Sequence, residues 1–326
     1  MKPESSRRKA ENSKTDRHAL ESRTIASLMG KDPVRILVTD SGLGGMAIFA
    51  EIAARMKRDP IFSRTAMTYF NAWPEQNRGY NALKDMDERV RVLDRALAGM
   101  KSYRPDLILI ACNTLSVLYD RTAFSRRETL PVIDIVRFGV DMMYQELSTH
   151  PNRMALLLGT VTTIASGIHR SQLIGKGIAP ERIVSQPCDQ LATQIEEGPN
   201  SDTVASMVDG FMTQAAEKLG PGCSHVSVAL FCTHFGYCKN LIREALQRRT
   251  GARVSILDPN QAMAAWLFEA AGGASHARGA VGMQVVSRIV WDRAKIDAMA
   301  HIVEVRSPET ARALRGYEYK PDLFTV

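Results

Sequence analysis

Short apolar runs alternate with amphipathic stretches along the chain from residue 34 onwards. Apolar runs without polar alternation predict buried parallel strands at 34–39, 66–70, 107–111 and 132–136. Stretches with apolar residues three or four positions apart predict helices near 46–58 and 86–101. Strands that take turns with helices are typical of a doubly wound α/β domain, in which helices cover both faces of a parallel sheet.

The same alternation starts again in the middle of the chain. Apolar runs predict strands at 154–158, 183–185, 226–231 and 254–257, and helices are expected near 201–219 and 239–249. We therefore predict two similar doubly wound, mainly parallel-sheet α/β domains with the active site in the cleft between them. The first comprises 33–134 plus 258–326, where 303–309 is expected to add a strand and a helix, and the second comprises 135–257. Residues 1–32 are polar and are expected to form a disordered or loosely attached tail.

Composition narrows the classes of protein without choosing a function. With 45% hydrophobic and 24% charged residues, the chain is expected to be globular. Its apolar stretches are too short for a membrane span, and its start lacks the apolar region of a secretory signal, so we expect a cytoplasmic protein with no membrane partner. The net charge of +7 is scattered among mixed-sign runs, which favours a small anionic ligand and no nucleic-acid partner. Five cysteines, an odd number, argue against a disulfide framework.

Small polar residues follow three of the predicted strands. Asp40 and Ser41 end the first, 112–114 (Cys-Asn-Thr) end the second and 232–234 (Cys-Thr-His) end the third. In an open α/β sheet the carboxyl ends of the strands border the ligand-binding crevice. Because Cys112 and Cys232 hold equivalent places in the two series, we expect one thiol on each side of a bound ligand.

Five motifs in order resemble the aspartate/glutamate racemase superfamily, and glutamate racemases most closely. They are Asp-Ser-Gly-Leu-Gly-Gly at 40–45, Ala-Cys-Asn-Thr at 111–114, Gly-Thr-x-x-Thr-Ile at 159–164, Ile-Glu-Glu-Gly at 195–198 and Cys-Thr-His at 232–234. The resemblance implies a cofactor-independent racemase that interconverts L- and D-glutamate and supplies D-glutamate for peptidoglycan. A homodimer is compatible with it.

The resemblance also implies a role for particular residues. Racemisation needs a base on one face of the α-carbon and an acid on the other, and a thiolate with a thiol meets that need near neutral pH. By the resemblance, Cys112 and Cys232 are this pair, Asp40 assists Cys112, and Glu196 and His234 assist Cys232. The substrate's ammonium and carboxylates would be bound by Ser41, Gly79, Asn113, Thr114, Thr160, Thr163 and Thr233.

The segment 70–80 departs from the pattern of glutamate racemases, which usually carry Pro-Tyr-Gly there. It reads Phe-Asn-Ala-Trp-Pro-Glu-Gln-Asn-Arg-Gly-Tyr, and of these only Gly79 matches. Arg78 in place of Tyr, the residues 235–237 and His169 in place of an aromatic residue are expected to reshape the side-chain pocket. The alternatives are therefore a racemase of aspartate, hydantoin or another α-substituted acid, and a non-catalytic ligand-binding relative.

Simpler interpretations of single residues stay open at this stage. Asp40 could be a helix cap, His234 a core histidine, and a register shift of one would exchange Glu196 with Glu197. The cysteines and histidines of 223–238 lack the spacing of zinc ligands, so no metal is expected. The glycines of 42–45 also lack the spacing of a nucleotide-binding loop.

Overall fold

The computed structural model of the protein describes residues 24–326. Its strands are β1 (Val34–Asp40), β2 (Arg64–Asn71), β3 (Leu107–Ile110), β4 (Val132–Asp134), β5 (Met154–Gly159), β6 (Ile183–Pro187), β7 (His225–Phe231), β8 (Arg253–Leu257), β9 (Ala280–Ser287) and β10 (Glu318–Tyr319). Its α-helices are α1 (Met46–Arg58), α2 (Met86–Met100), α3 (Asn113–Tyr119), α4 (Ala123–Arg127), α5 (Val136–Thr149), α6 (Val161–Ala165), α7 (Ile168–Gly175), α8 (Leu191–Glu197), α9 (Asp202–Leu219), α10 (Lys239–Thr250), α11 (Pro259–Ala270), α12 (Arg293–Glu304) and α13 (Pro308–Arg315).

Two parallel sheets organise the molecule. The first has the strand order β10-β9-β2-β1-β3-β4 and the second has the order β6-β5-β7-β8. The second sheet therefore repeats the β2-β1-β3-β4 order of the first, and both place their first strand between the second and the third. The predicted fold class is confirmed, and the strand order reverses at the place where such sheets bind ligands.

Apolar strand sequences explain why the central strands of both sheets are buried. β3 reads Leu-Ile-Leu-Ile and is buried at each position, as expected for a parallel strand with helices on both faces. On one face, α1 presents Ile48, Phe49 and Ile52 to the core, and the Phe49 ring meets the Tyr69 ring edge to face at 5.7 Å. These contacts fix the orientation of β1 and β2, whose ends carry the polar residues of the site.

Helix ends follow signals that are local in the sequence. The carboxylate of Asp85 accepts a 2.8 Å hydrogen bond from the Glu88 N–H and caps α2. Gly251, with φ of +68°, ends α10 in the left-handed conformation that glycine adopts without a steric penalty. Signals of the same kind, the Ser201 hydroxyl that accepts from the Val204 N–H and Gly220 with φ of +72°, explain why the predicted helix near 201–219 matches α9. The predicted helix near 46–58 also matches α1.

The C-terminal segment differs from its prediction. Residues 303–304 end helix α12 rather than form a strand, and only the helix α13 is as expected. The strand lies earlier, at β9, which pairs in parallel with β2 along its whole length. β9 interleaves Gly282 and Gln284 with apolar residues and is buried only at its end, so its sequence lacks the continuous apolar run that indicated the other strands.

The predicted N-terminal tail is described only in part. Residues 1–23 lie outside the described residues, but Ile25 and Leu28 are fully buried in the core of the first domain. Their spacing of three residues places both side chains on one face of a helical turn, so residues 24–32 are anchored, contrary to the expected loose tail. The strands of the two sheets fall within 33–134 plus 258–326 and within 135–257, respectively.

Candidate active site

A cavity of about 390 Å³ lies between the two sheets, at the carboxyl ends of their strands. Cys112, which follows β3, and Cys232, which follows β7, both line this cavity. The other sequence-predicted residues on its wall are Asp40, Ser41, Gly79, Asn113, Thr114, Thr160, Glu196, Thr233 and His234. Its volume suits a small-molecule ligand. The two domains thus bring one thiol each to a shared space.

Cys112 contacts a neutral hydroxyl and has one carboxylate nearby. It is buried at the start of α3, and its Sγ lies 3.2 Å from the hydroxyl oxygen of Ser41. Burial raises the pKa of the Cys112 thiol, and the nearby carboxylate of Asp40 raises that pKa further. Cys112 therefore carries its proton in this state.

Cys232 lies at the end of a chain of charged groups. Its Sγ is 3.6 Å from Nδ1 of His234, and Nε2 of His234 is 2.7 Å from Oε1 of Glu196. Burial alone would lower the pKa of His234, but the hydrogen bonds to Cys232 and Glu196 raise that pKa well above its usual value. The imidazolium can then donate from both ring nitrogens.

Glu196 is the carboxylate that serves His234, whereas its neighbour Glu197 is exposed. Burial alone would raise the pKa of Glu196, yet the bond and charge of His234 and the ammonium of Lys295 lower it to about 2. Glu196 also accepts a 2.6 Å hydrogen bond from the Leu43 N–H of the first domain. The shift in register considered above is therefore wrong.

Lys295 is a site residue that the sequence did not indicate. It lies on α12, lines the cavity, and its ammonium forms an ion pair with Oε2 of Glu196. No motif surrounds it in the chain. The pairing of β9 with β2 brings it into place, and that pairing was itself missed.

Asp40 connects the two domains by hydrogen bonds. Its Oδ1 accepts from the Gly42 N–H at 3.0 Å, and its Oδ2 accepts from the Thr233 hydroxyl at 2.8 Å. Burial raises the pKa of Asp40, although His234 and Thr233 act in the opposite direction. The following helix starts at Met46 with no side-chain cap, so the interpretation of Asp40 as a helix cap is wrong.

Asn113 is held by a histidine that does not line the cavity. Nε2 of His169 lies 3.0 Å from Oδ1 of Asn113, and the His169 ring stacks on Phe231 at 3.8 Å between centroids. Burial lowers the pKa of His169 to about 3, so the ring is neutral and its Nε2–H donates to Asn113. The amide Nδ2 of Asn113 is buried without a hydrogen-bond partner in residues 24–326, which leaves a donor for a ligand.

Three threonine hydroxyls form a cluster across the domain boundary. Oγ1 of Thr114 lies 2.9 Å from that of Thr160 and 3.3 Å from that of Thr163. Thr114 and Thr160 line the cavity, whereas Thr163 lies behind them and also bonds Thr160 at 3.0 Å. Thr163 thus supports Thr114 and Thr160 by hydrogen bonds and does not line the cavity, in contrast to its predicted contact with substrate.

The altered segment 70–80 does form part of the cavity wall, but not through Arg78. The guanidinium of Arg78 forms an ion pair with Glu88 at 2.9 Å and is absent from the lining. Trp73, Gln76, Asn77 and Tyr80 line the cavity instead. Gln76 is fixed to the loop after β9, because its amide exchanges hydrogen bonds of 2.7 and 2.9 Å with the backbone of Val290.

Residues 235 and 237 and His169, the other departures from the family pattern, lie behind the residues that line the cavity. Phe235 is fully buried in the core of the second domain, and the hydroxyl of Tyr237 donates to the Gly44 carbonyl at 3.2 Å. His169 supports Asn113 as described. The expectation that 235–237 and His169 reshape the pocket directly is therefore wrong, and the changed surface comes from 70–80.

Close backbone approach explains the glycines of the first motif. A Cβ on Gly42 would lie 2.5 Å from Oε1 of Glu196, and one on Gly44 would lie 2.5 Å from Nδ1 of His234. Only glycine lets the turn after β1 reach these groups. The backbone of this motif in the first domain therefore packs directly against Glu196 and His234 of the second domain.

The described part of the chain carries neither a cluster of metal ligands nor a membrane-spanning helix. In residues 24–326 no group of three or more His, Cys, Asp or Glu side chains is arranged to hold a metal ion. Over the same residues, no helix combines the length and the apolar character needed to cross a membrane.

Two α/β domains, each with a thiol on one shared cavity, form a site suited to acid–base chemistry on a small ligand. The Asp/Glu/Hydantoin racemase family matches residues 46–267, which is more than half of the chain. The chain belongs to this family and is an amino-acid racemase, an isomerase. The resemblance drawn from the five motifs is thereby confirmed.

Individual relatives agree with this membership. The glutamate racemase of Chlorobium phaeobacteroides is 27% identical over 232 residues, which cover 70% of this chain and 76% of the relative. Among solved structures, the glutamate racemase of Campylobacter jejuni has a TM-score of 0.63 at 20% identity and covers 83% of this chain and 97% of its own. The glutamate racemase of Francisella tularensis in complex with D-glutamate has a TM-score of 0.60 at 20% identity, with coverage of 85% and 94%.

Proposed function

We propose that this protein interconverts L- and D-glutamate by proton transfer between two cysteines, Cys112 and Cys232, without a cofactor. The observation that carries the proposal is that both thiols line one cavity, each at the start of a helical segment that follows the third strand of its sheet. A base on one face of the α-carbon and an acid on the other are what inversion requires.

In the proposed reaction, the thiolate of one cysteine takes the α-hydrogen, so that the C–H bond breaks and an S–H bond forms. The thiol of the other cysteine then gives its proton to the opposite face of the carbanion, and the two sulfurs have exchanged protonation states. Cys112, whose pKa is raised, starts as the donor, and Cys232 starts as the acceptor beside His234. The reverse direction uses the same groups with their roles exchanged.

Neutral donors support an amino acid with a second carboxylate as the substrate. The buried Nδ2 of Asn113 and hydroxyl of Tyr80 have no hydrogen-bond partner among the residues described, and both side chains line the cavity. The hydroxyls of Ser41, Thr114 and Thr160 lie on the same wall. Such groups bind carboxylates without removing their charge. Glutamate is preferred because the relatives above are named glutamate racemases.

The test incubates the protein in deuterium oxide with each member of a panel of L- and D-amino acids that includes aspartate. Chiral chromatography then separates the enantiomers, and mass spectrometry measures the deuterium that they carry. We expect glutamate to racemise with solvent deuterium at the α-position. Replacing either cysteine, by Cys112→Ala or Cys232→Ala, should lower racemisation about a hundredfold or more, because general acid–base groups contribute about 10²–10⁴. Cys223→Ala is the matched control, since this half-buried cysteine does not line the cavity.

Three outcomes would contradict parts of the proposal. Wild-type turnover in either cysteine variant would overturn the two-base mechanism. Racemisation of aspartate or another acid in place of glutamate would overturn the substrate. Absence of deuterium exchange with the whole panel would overturn catalysis and leave a ligand-binding relative.

The proposed reaction also suggests a cellular role. D-glutamate made by this enzyme would supply peptidoglycan precursors, and a cytoplasmic location is part of this proposal. The homodimer stays a prediction, and sedimentation velocity at several protein concentrations tests it.

A further inference from the structure

Lys295 reaches the acid–base groups from outside the five motifs. It lies on α12, which follows β9 in the C-terminal part of the chain, and its side chain is 22% exposed where it lines the cavity. Its ammonium is paired with Oε2 of Glu196, a residue of α8 in the second domain. An ion pair therefore joins the C-terminal segment to the chain of groups that ends at Cys232.

The two oxygens of Glu196 have separate partners. Oε1 accepts from Nε2 of His234 at 2.7 Å and from the Leu43 N–H at 2.6 Å, whereas Oε2 is paired with Lys295. A carboxylate held on both oxygens cannot rotate without losing a buried partner. The ammonium thus helps to hold the carboxylate in hydrogen-bonding contact with Nε2 of His234.

The charge of Lys295 also acts on His234. The titratable groups that face His234 are Cys232, Glu196 and, from β1, Asp40. All three favour a proton on the imidazole when they are negative, and Lys295 is the cation that partly neutralises Glu196. Without it, the full charge of Glu196 would hold the proton on His234 more tightly.

We propose that Lys295 is a positioning residue for the Cys232 half of the site, which holds Glu196 in place and thereby keeps the His234 ring oriented toward the sulfur of Cys232 and limits how tightly that ring holds its proton. The inference rests on the proposed function, because Cys232 is one of the two acid–base groups of the proposed racemisation. Lys295 acts through Glu196 and His234 and has no assigned contact with the reacting carbon.

Two variants of Lys295 and one control test the proposal. Lys295→Met removes the charge, Lys295→Arg keeps it, and Arg293→Met removes an exposed cation from the same helix that does not line the cavity. For Lys295→Met we expect kcat to fall about tenfold with little change in KM, since a disturbed acid–base group costs part of the about 10²–10⁴ that it contributes. Lys295→Arg should recover most of this loss, and Arg293→Met should behave as wild type.

NMR titration of the His234 ring provides a readout that does not depend on turnover. We expect its midpoint to rise by about one pH unit in Lys295→Met, because a nearby cation that opposes protonation is gone. The alkaline limb of the kcat profile should move in the same direction. Thermal unfolding of each variant identifies a loss of activity that is due to loss of fold.

The outcomes separate the two proposals. An unchanged His234 midpoint together with unchanged kcat in a folded Lys295→Met variant would overturn the role of Lys295. A rise in KM alone would overturn it as well, because that result would make Lys295 a substrate-binding residue. If wild-type protein racemises nothing, the proposed function fails, while the NMR titration still decides whether Lys295 controls His234.

Discussion

The two thiols of the site occupy equivalent positions in a repeated fold but have different surroundings. Cys112 and Cys232 each follow the third strand of a sheet with the same strand order. Cys112 contacts the hydroxyl of Ser41, whereas Cys232 contacts His234, which is bonded in turn to Glu196. The fold repeat fixes where the sulfurs lie, and the neighbouring side chains decide how each exchanges a proton.

Two buried histidines show the same difference. His169 contacts Asn113, the residue that follows Cys112 in the sequence. Burial lowers the pKa of His169 to about 3, so its ring is neutral. His234 is equally buried, but the bonds to Cys232 and Glu196 raise its pKa. Because burial disfavours the charged form in both cases, the partners of His234, Cys232 first and then Glu196, are what reverse the outcome. The histidine in the Cys112 half of the site is therefore neutral, whereas the histidine in the Cys232 half is charged.

The largest expected effect comes from removing the carboxylate of Glu196, which lies in the Cys232 half of the site. Glu196→Gln should lower kcat about a hundredfold, because His234 loses the partner that keeps it protonated and oriented. The matched change beside Cys112, Asp40→Asn, should cost about tenfold, since the amide oxygen of Asn can still accept from the Gly42 N–H. Steady-state kinetics in both directions measures this ratio. Equal losses would mean that the two halves depend equally on a carboxylate.

A smaller effect is expected where the domains meet. Gly44→Ala would place a methyl group against Thr233 and His234, and we expect kcat to fall about tenfold as these buried side chains are displaced. Gly282→Ala in β9 is the control, because a Cβ there meets no atom within 4 Å. Kinetics and thermal melts of both variants provide the measurement. An active Gly44→Ala variant would show that the close approach is unnecessary.

Loss of the hydroxyl beside Cys112 should have a still smaller effect. Ser41→Ala removes a neutral hydrogen bond, which is worth about 1 kcal/mol and hence about fivefold in rate. Ser148→Ala, an exposed serine bonded only to the Gln145 carbonyl, is the control. A loss as large as that of Glu196→Gln would mean that Cys112 also relies on a proton relay.

The last expected effect concerns the free energy of unfolding rather than the rate of racemisation. The pKa of His169 is lowered to about 3 in the folded protein, whereas in the unfolded chain it has the ordinary value of about 6.5. Between these two pH values the unfolded chain therefore binds more protons than the folded protein does. Stability is therefore lost as pH falls through this range, by up to about 1.4 kcal/mol per pH unit for one group. Urea unfolding measures the free energy of unfolding at pH values between about 5 and 6, above the titration of most carboxylates. This free energy should rise less steeply with pH in His169→Gln than in wild type. Identical slopes would show that His169 is not buried as a neutral ring.

Much of the site was predictable because its residues lie next to local signals. Asp40, Cys112 and Cys232 stand where apolar strands end, and parallel strands gather their carboxyl ends at one edge. The motif resemblance added Glu196, which is far from any strand end. Arg78 was misjudged because its direction depends on Glu88, a partner on the next helix that no pattern in the segment reveals.

By itself, the sequence determined the alternation of strands and helices, the repeated domain and the set of polar residues that border the cleft, because all of these depend on short-range periodicity and on the residues at strand ends. Only the tertiary structure decided that Lys295 joins Glu196, that His169 orients Asn113, and that Gln76 closes the wall against Val290. Each of these contacts joins segments far apart in the chain. The weakly patterned strand β9 brings two of them together, and the energy of such contacts depends on distance and burial, which a linear pattern does not contain.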